Sequence, residues 1–181
     1  MKVARTLISR EQIAVRTIAL GAEITADLRR HTAGEEHPRV VLMPILTGAL
    51  VFTADLIRHV PVQMSIRPVT VVSYPGTATS SQGANIHGAV PTDLKGAHVL
   101  IVDDILDSGR TLGLLRRVIA AQRPASLQIA VLLNKKKPGG RSEEVEVEYS
   151  GFDIEDEFVV GYGLDYDGYF RNLPDIGVLA P

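Results

Sequence analysis

Cysteine is absent from this sequence. That excludes disulfides, thiolate metal sites and a cysteine nucleophile. A large excess of either charge is absent too: 19 Lys and Arg against 21 Asp and Glu leave a net charge of −2. Nothing in that balance calls for a nucleic-acid or membrane partner. No apolar run approaches the length of a transmembrane helix, and "MKVARTLISREQIAV" has no apolar stretch long enough for a signal peptide. There is no internal repeat, low-complexity tract or interdomain linker. What remains is a 181-residue chain, 45% hydrophobic, which reads as one soluble, cytoplasmic domain large enough to bury a core.

Strand-like and helix-like stretches alternate along it. Ser9-Arg10-Glu11-Gln12 reads as a capping box opening a helix to about Arg30. "RVVLMP" (39–44) is a short buried strand, "ILTG" a turn, and "ALVFTADLIRHV" (49–60) a helix. "VQMSIRPVTVVSY" (62–74) is β-branched, with Pro68 marking a break or bulge. Residues 75–88 carry loop residues and no apolar periodicity. "HVLIVD" (98–103) is the clearest strand, followed by a helix over 110–122 and a strand over 126–134. This alternation predicts an α/β fold, a mostly parallel twisted sheet flanked by helices. Residues 143–181 read as short strands and loops at one edge or end.

The stretch "VLIVDDILDSGRTL" (99–112) carries the chemistry. Ligands of open α/β sheets bind beyond the carboxyl ends of strands, and Asp103 and Asp104 are expected at such an end. Gly109 permits a tight turn, while Ser108 and Thr111 offer hydroxyls. A helix starting near Arg110 aims free N–H groups and a positive dipole at the same spot. The loop therefore suits a phosphate beside sugar hydroxyls or Mg²⁺. A plainer reading is an Asp-rich cap on a solvated turn, but too many specialised residues coincide for that. A receiver domain also pairs Asp residues for Mg²⁺, but on its first strand. Here about 100 residues precede the pair.

This stretch resembles the phosphoribosyl-pyrophosphate motif of the type I phosphoribosyltransferases: two acidic residues, two apolar ones, Asp, a small hydroxyl residue, Gly, any residue, Thr. "DEFVVGYGLDYDGYFRNLPDIGVL" (156–179) is similar to the purine-binding region of the hypoxanthine-guanine phosphoribosyltransferases. "LLNKKKP" (132–138), "SY" (73–74) and "LTG" (46–48) match in place, so the resemblance spans roughly 40–179.

The resemblance implies a single domain over 1–181. Its core would span about 35–140, with a small hood formed by about 143–181 and the N-terminal segment. It implies transfer of a phosphoribosyl group from phosphoribosyl pyrophosphate to hypoxanthine or guanine, with Mg²⁺, in a homodimer or homotetramer. By motif position, Asp107 is the general base and then acid at purine N7, and Asp103 and Asp104 hold the ribose hydroxyls. Ser108, Gly109, Arg110 and Thr111 cradle the 5-phosphate. Leu46, Thr47, Gly48 and Arg171 meet pyrophosphate, and Asp165 coordinates Mg²⁺, with Asp103 and Asp104 also candidate ligands. Lys135, Phe158, Val159 and Asp165 form the purine side. Phe158 can stack on a purine. The Lys135 ammonium, a donor only, can pair with a 6-oxo but not a 6-amino group. Lys136 and Lys137 read as a solvated basic loop. Ser73 and Tyr74 open a mobile lid over 75–88 that would exclude water.

Three departures stand out. Thr47 replaces the family's lysine, keeping the amide but losing the cation; the first acidic residue is Asp103 where relatives often have Glu; and the 75–88 loop is rich in Gly, Ala and Ser, without the charges seen in some relatives. If the 46–48 turn acts through its backbone, it should lie at the mouth of the site beside 103–111. A different class of function is also open: a non-catalytic nucleotide sensor on the same fold. It should have lost the base or the pocket lysine, and should carry a basic or nucleic-acid-binding segment. Asp107, Lys135, Phe158 and Asp165 are all present, and no such segment is evident.

Overall fold

The computed structural model describes residues 2–72, 85–87 and 90–180. Ser73, Tyr74 and most of the expected lid lie outside the described residues. In chain order the elements are β1 (Lys2–Ile8), α1 (Arg10–His31), β2 (Val40–Leu46), α2 (Leu50–Leu56) with a 3-10 turn at Ile57–His59, β3 (Ser65–Ile66) and β4 (Val69–Val72). There follow β5 (Asn85–His87), β6 (His98–Leu106), α3 (Arg110–Ala120), β7 (Ser126–Lys135), β8 (Tyr149–Ile154), β9 (Val159–Val160) and β10 (Ile176–Ala180).

The main sheet runs β5-β4-β2-β6-β7-β8, with β3 also paired to β2. All its pairings are parallel except β4 with β5. Strands β2, β6 and β7 are apolar in unbroken runs because both their faces are covered. Alternate residues enter two separate cores. Val40, Leu42, Leu100 and Val102 pack with Ile13, Leu20 and Ile24 of α1 and Phe52 and Leu56 of α2. Val41, Met43, Val99 and Ile101 pack with Leu112, Leu115 and Ile119 of α3. So the helices after the neighbouring strands β2 and β6 leave to opposite faces, and a crevice opens where they part.

Some boundaries differ from the sequence reading. Strand β6 continues through Asp103 and Asp104 to Leu106, because its pairing with β7 persists to Leu106–Asn134. The two aspartates are therefore strand residues, and the turn proper is Asp107–Gly109. The break expected at Pro68 separates β3 from β4. Strand β8, inside the stretch expected as hood, instead extends the main sheet beside β7. The second sheet is small and antiparallel, ordered β1-β10-β9. Strand β1 was not anticipated. Its residues are mostly exposed, so no burial pattern marks it, and its partner lies at the far end of the sequence.

Helix α1 begins as read. The Ser9 side chain accepts from the Gln12 N–H at 3.3 Å, and Gln12 Oε1 accepts from the Ser9 N–H at 2.9 Å. Removing such a cap costs about 1 kcal/mol. Ser9→Ala is therefore expected to lower the melting temperature by about 2–4 °C, measured by thermal denaturation.

Candidate active site

The crevice beyond β2 and β6 is a cleft of about 610 Å³. Leu46, Thr47 and Gly48 line it from the end of β2, and Asp103 to Gly109 line it from β6 and the following turn. Thr111 and Leu112 come from α3, and Asp165 and Arg171 from the segment between β9 and β10. The 46–48 turn thus stands at the mouth of the site beside the acidic loop. Its Leu46–Thr47 peptide is cis. A Cβ at Gly48 would overlap the Asp104 carboxylate, so only glycine lets turn and carboxylate approach this closely.

At the head of α3, Gly109 has φ 81° and no side chain caps the helix. A Cβ there would collide with the Glu143 carbonyl, and the Glu143 N–H donates to the Ser108 carbonyl at 3.0 Å. The turn is therefore pinned from behind while the first N–H groups of α3 stay available to an anion. The Arg110 side chain is exposed and does not line the cleft.

Asp103 is buried and Asp104 half-buried, adjacent on one strand. Burial, with repulsion from Asp104, holds the Asp103 carboxyl well above the usual carboxylate range. Burial raises Asp104 as well, against the pull of its hydrogen bonds and of Arg171. Neither joins an ion pair among the described residues. Asp165 is arranged differently: Oδ1 lies 2.7 Å from Arg171, and Oδ2 accepts the Gly168 N–H at 2.7 Å. Arg171 also donates to the Gly163 carbonyl at 2.6 Å. Among the described residues no three His, Asp or Glu side chains converge into a protein-only metal cage. Asp165 is thus not gathered with Asp103 and Asp104 into one ligand set.

Lys135, Phe158 and Val159 do not line this cleft. Lys135 ends β7 and is only 7% exposed, its Nζ 3.4 Å from Asp107. It reaches the site through that carboxylate. Phe158 is 53% exposed and meets Tyr166 edge-on, with centroids 5.7 Å apart. The Val159 side chain belongs to the core, so it offers no side-chain surface to a ligand. Lys137 corrects the sequence reading: it is not a solvated loop charge. Its Nζ lies 2.7 Å from both Asp107 and Asp156. The signal was present as three lysines facing the acidic stretch "DIEDE" (153–157), but charge runs of this kind do not reveal which members pair.

Comparison with known proteins gives the family. A family model described as phosphoribosyl transferase domain matches residues 9–167. The chain is 42% identical over 177 residues to a hypoxanthine-guanine phosphoribosyltransferase of Streptococcus pneumoniae, covering 98% of this chain and 93% of that protein. It is 38% identical over 179 residues to that of Bacillus subtilis, covering 99% and 94%. Among solved structures, a Trypanosoma cruzi hypoxanthine phosphoribosyl transferase superposes with a TM-score of 0.89 at 35% identity, covering 99% of this chain and 92% of that one.

The buried aspartates generate a pH-dependent cost. The ordinary Asp value is 3.8, and Asp103 binds its proton more tightly when folded. The native state therefore holds more protons than the unfolded chain above that value, and stability falls as pH rises through this window. Asp103→Asn removes the charge and keeps the shape. The variant is expected to melt above the wild type at pH 8, with the gap narrowing toward pH 4, in melting curves recorded across that range.

Proposed function

The chain belongs to the phosphoribosyltransferase family, and on that premise we infer that it is a purine-salvage enzyme. It moves the 5-phosphoribosyl group of phosphoribosyl pyrophosphate onto hypoxanthine or guanine, giving the 5′-monophosphate and pyrophosphate. The observation that carries the reading is one cleft lined together by the 46–48 turn, the 103–111 loop, Asp165 and Arg171, with Lys135 behind Asp107. A catalytically silent nucleotide sensor finds no support in the relatives, which are named as transferases.

The uncapped first turn of α3, with Ser108, Gly109 and Thr111, receives the 5-phosphate. Arg110 contributes there through its backbone. Asp103 and Asp104 accept from the ribose hydroxyls. The 46–48 turn and Arg171 meet pyrophosphate, through the backbone at Thr47 and the guanidinium at Arg171. Asp107 takes the N7 proton of the purine and can return it. Lys135 donates to the 6-oxo group, and Phe158 stacks on the ring.

The acidic residues suit Mg²⁺. Asp103 is buried and Asp104 half-buried, neither in an ion pair among the described residues, and each Asp165 oxygen keeps a free lone pair. Asp165 would hold an ion on the pyrophosphate side, and Asp103 with Asp104 would offer a separate place for one on the ribose side, substrate oxygens and water completing either shell. Mg²⁺ held by these carboxylates would supply positive charge against the departing pyrophosphate. Positioning and electrostatics supply much of the remaining catalysis. Among the described residues no helix is long and apolar enough to cross a membrane, which accords with a cytoplasmic enzyme. Exposed Val15 and Ile18 on α1 offer an apolar face for a homodimer or homotetramer.

The decisive experiment offers hypoxanthine, guanine, xanthine and adenine with phosphoribosyl pyrophosphate and Mg²⁺. Hypoxanthine or guanine should be converted and adenine should be poor; adenine used as well as hypoxanthine would defeat the role given to Lys135. Lys135→Met should weaken 6-oxopurine use far more than phosphoribosyl-pyrophosphate binding.

Asp107→Asn keeps shape and loses proton acceptance. Turnover should fall by about 10²–10⁴-fold with phosphoribosyl-pyrophosphate binding intact, measured by steady-state kinetics and calorimetry. A variant within a few-fold of wild type would rule out Asp107 as the base.

A further inference from the structure

Asp107 meets two lysines, and the closer one is not the lysine assigned to the purine. Lys137 Nζ is 2.7 Å from Asp107 Oδ1 and 2.7 Å from Asp156 Oδ1. Lys135 Nζ stands further off, 3.4 Å from Asp107 and 3.8 Å from Asp156. The Lys137 side chain is 25% exposed, whereas Lys136 is 59% exposed and, among the described residues, pairs only with Asp153, at 3.7 Å. Its neighbours Asp107 and Asp156 hold the Lys137 ammonium above its usual value, so it stays charged at neutral pH. The backbone carrying these lysines is itself fixed. The Lys136 N–H donates to the Ile154 carbonyl at 2.7 Å, and Arg141 donates to the Lys135 carbonyl at 2.7 Å.

Two lysines and two aspartates make a quartet of zero net charge. Donating to a 6-oxo group would draw Lys135 away from the carboxylates. Without another cation, Asp107 and Asp156, 44% and 40% exposed, would then be left close together with no counter-ion, and their pull would keep the buried Lys135 ammonium where it is. We propose that Lys137, anchored by Asp156, is a positioning residue that holds Asp107 in place as its counter-ion and so releases Lys135 to the purine. This rests on the assignment of Asp107 as the group that exchanges the purine proton. Lys137 acts through Asp107 and does not touch the purine. Asp156 acts through Lys137.

The test is steady-state kinetics with hypoxanthine or guanine and phosphoribosyl pyrophosphate, alongside melting temperatures. Lys137→Met should lower kcat/KM for the purine by about ten- to a hundredfold, the range for a catalytic group left misplaced. KM for phosphoribosyl pyrophosphate should change by less than about twofold, because the cleft wall that binds it is untouched. Lys137→Arg keeps the charge and should recover most of the loss. Lys136→Met should behave as wild type. Asp156→Asn should cost less than Lys137→Met, and little when added to it. Wild-type kinetics in Lys137→Met would overturn the inference. So would equal losses for purine and phosphoribosyl pyrophosphate, or failure of arginine to rescue. If Lys137→Met does not fold, Asp156→Asn decides: unchanged purine kinetics there would remove the anchor. A wild-type protein that makes no nucleotide would instead defeat the proposed function itself, a result distinguishable from all of these.

Discussion

Parallel pairing of β2 with β6 is the constraint on which the site depends. The register runs from Val40–His98 to Pro44–Val102 and brings two strand ends to the same edge of the sheet. The helices that follow them pack in different cores, so the chain must part there. The 46–48 turn and the 103–109 segment are then forced to face each other across the gap. Gly48 makes the approach possible, because any side chain would displace the Asp104 carboxylate.

The four aspartates of the region live under opposite regimes. Asp103 and Asp104 join no ion pair among the described residues, and burial makes both resist ionising. Asp107 and Asp156 are met by two ammonium groups, and the Lys137 contact keeps Asp156 below its ordinary value. One end of the site is therefore short of positive charge, while the other is balanced by its two lysines. Placing these side by side makes the first pair costly to the folded state, a familiar expense of functional sites.

Much of this was legible in the chain. The strand pattern of 98–103, the glycine and hydroxyls of 108–111 and the box at Ser9–Gln12 each carry a local physical signature, and local signatures survive folding. What was not legible depends on distant partners. Strand β6 runs three residues past its expected end because β7 continues to pair with it. Strand β8 joins the main sheet through a neighbour rather than through any pattern of its own. Lys135, Lys136 and Lys137 are chemically equal in sequence, and the folded positions of Asp107 and of 153–156 distinguish them. Val159 matched a binding motif, yet its side chain fills the core. A motif names positions without saying which way each side chain points.

The small sheet has a consequence for how the molecule assembles. Its central pairing joins Lys2 to Ala180 and Ile8 to Ile176, among the greatest sequence separations this chain allows. Closing so long a loop is entropically unfavourable until the intervening core exists to hold the ends near each other. During synthesis, β1 leaves the ribosome long before its partner β10. Strand β9, which carries Val159 and follows Phe158, is bound to this same late strand. Nascent chains should therefore fix the 103–109 wall of the cleft before the segment that carries Phe158, Asp165 and Arg171.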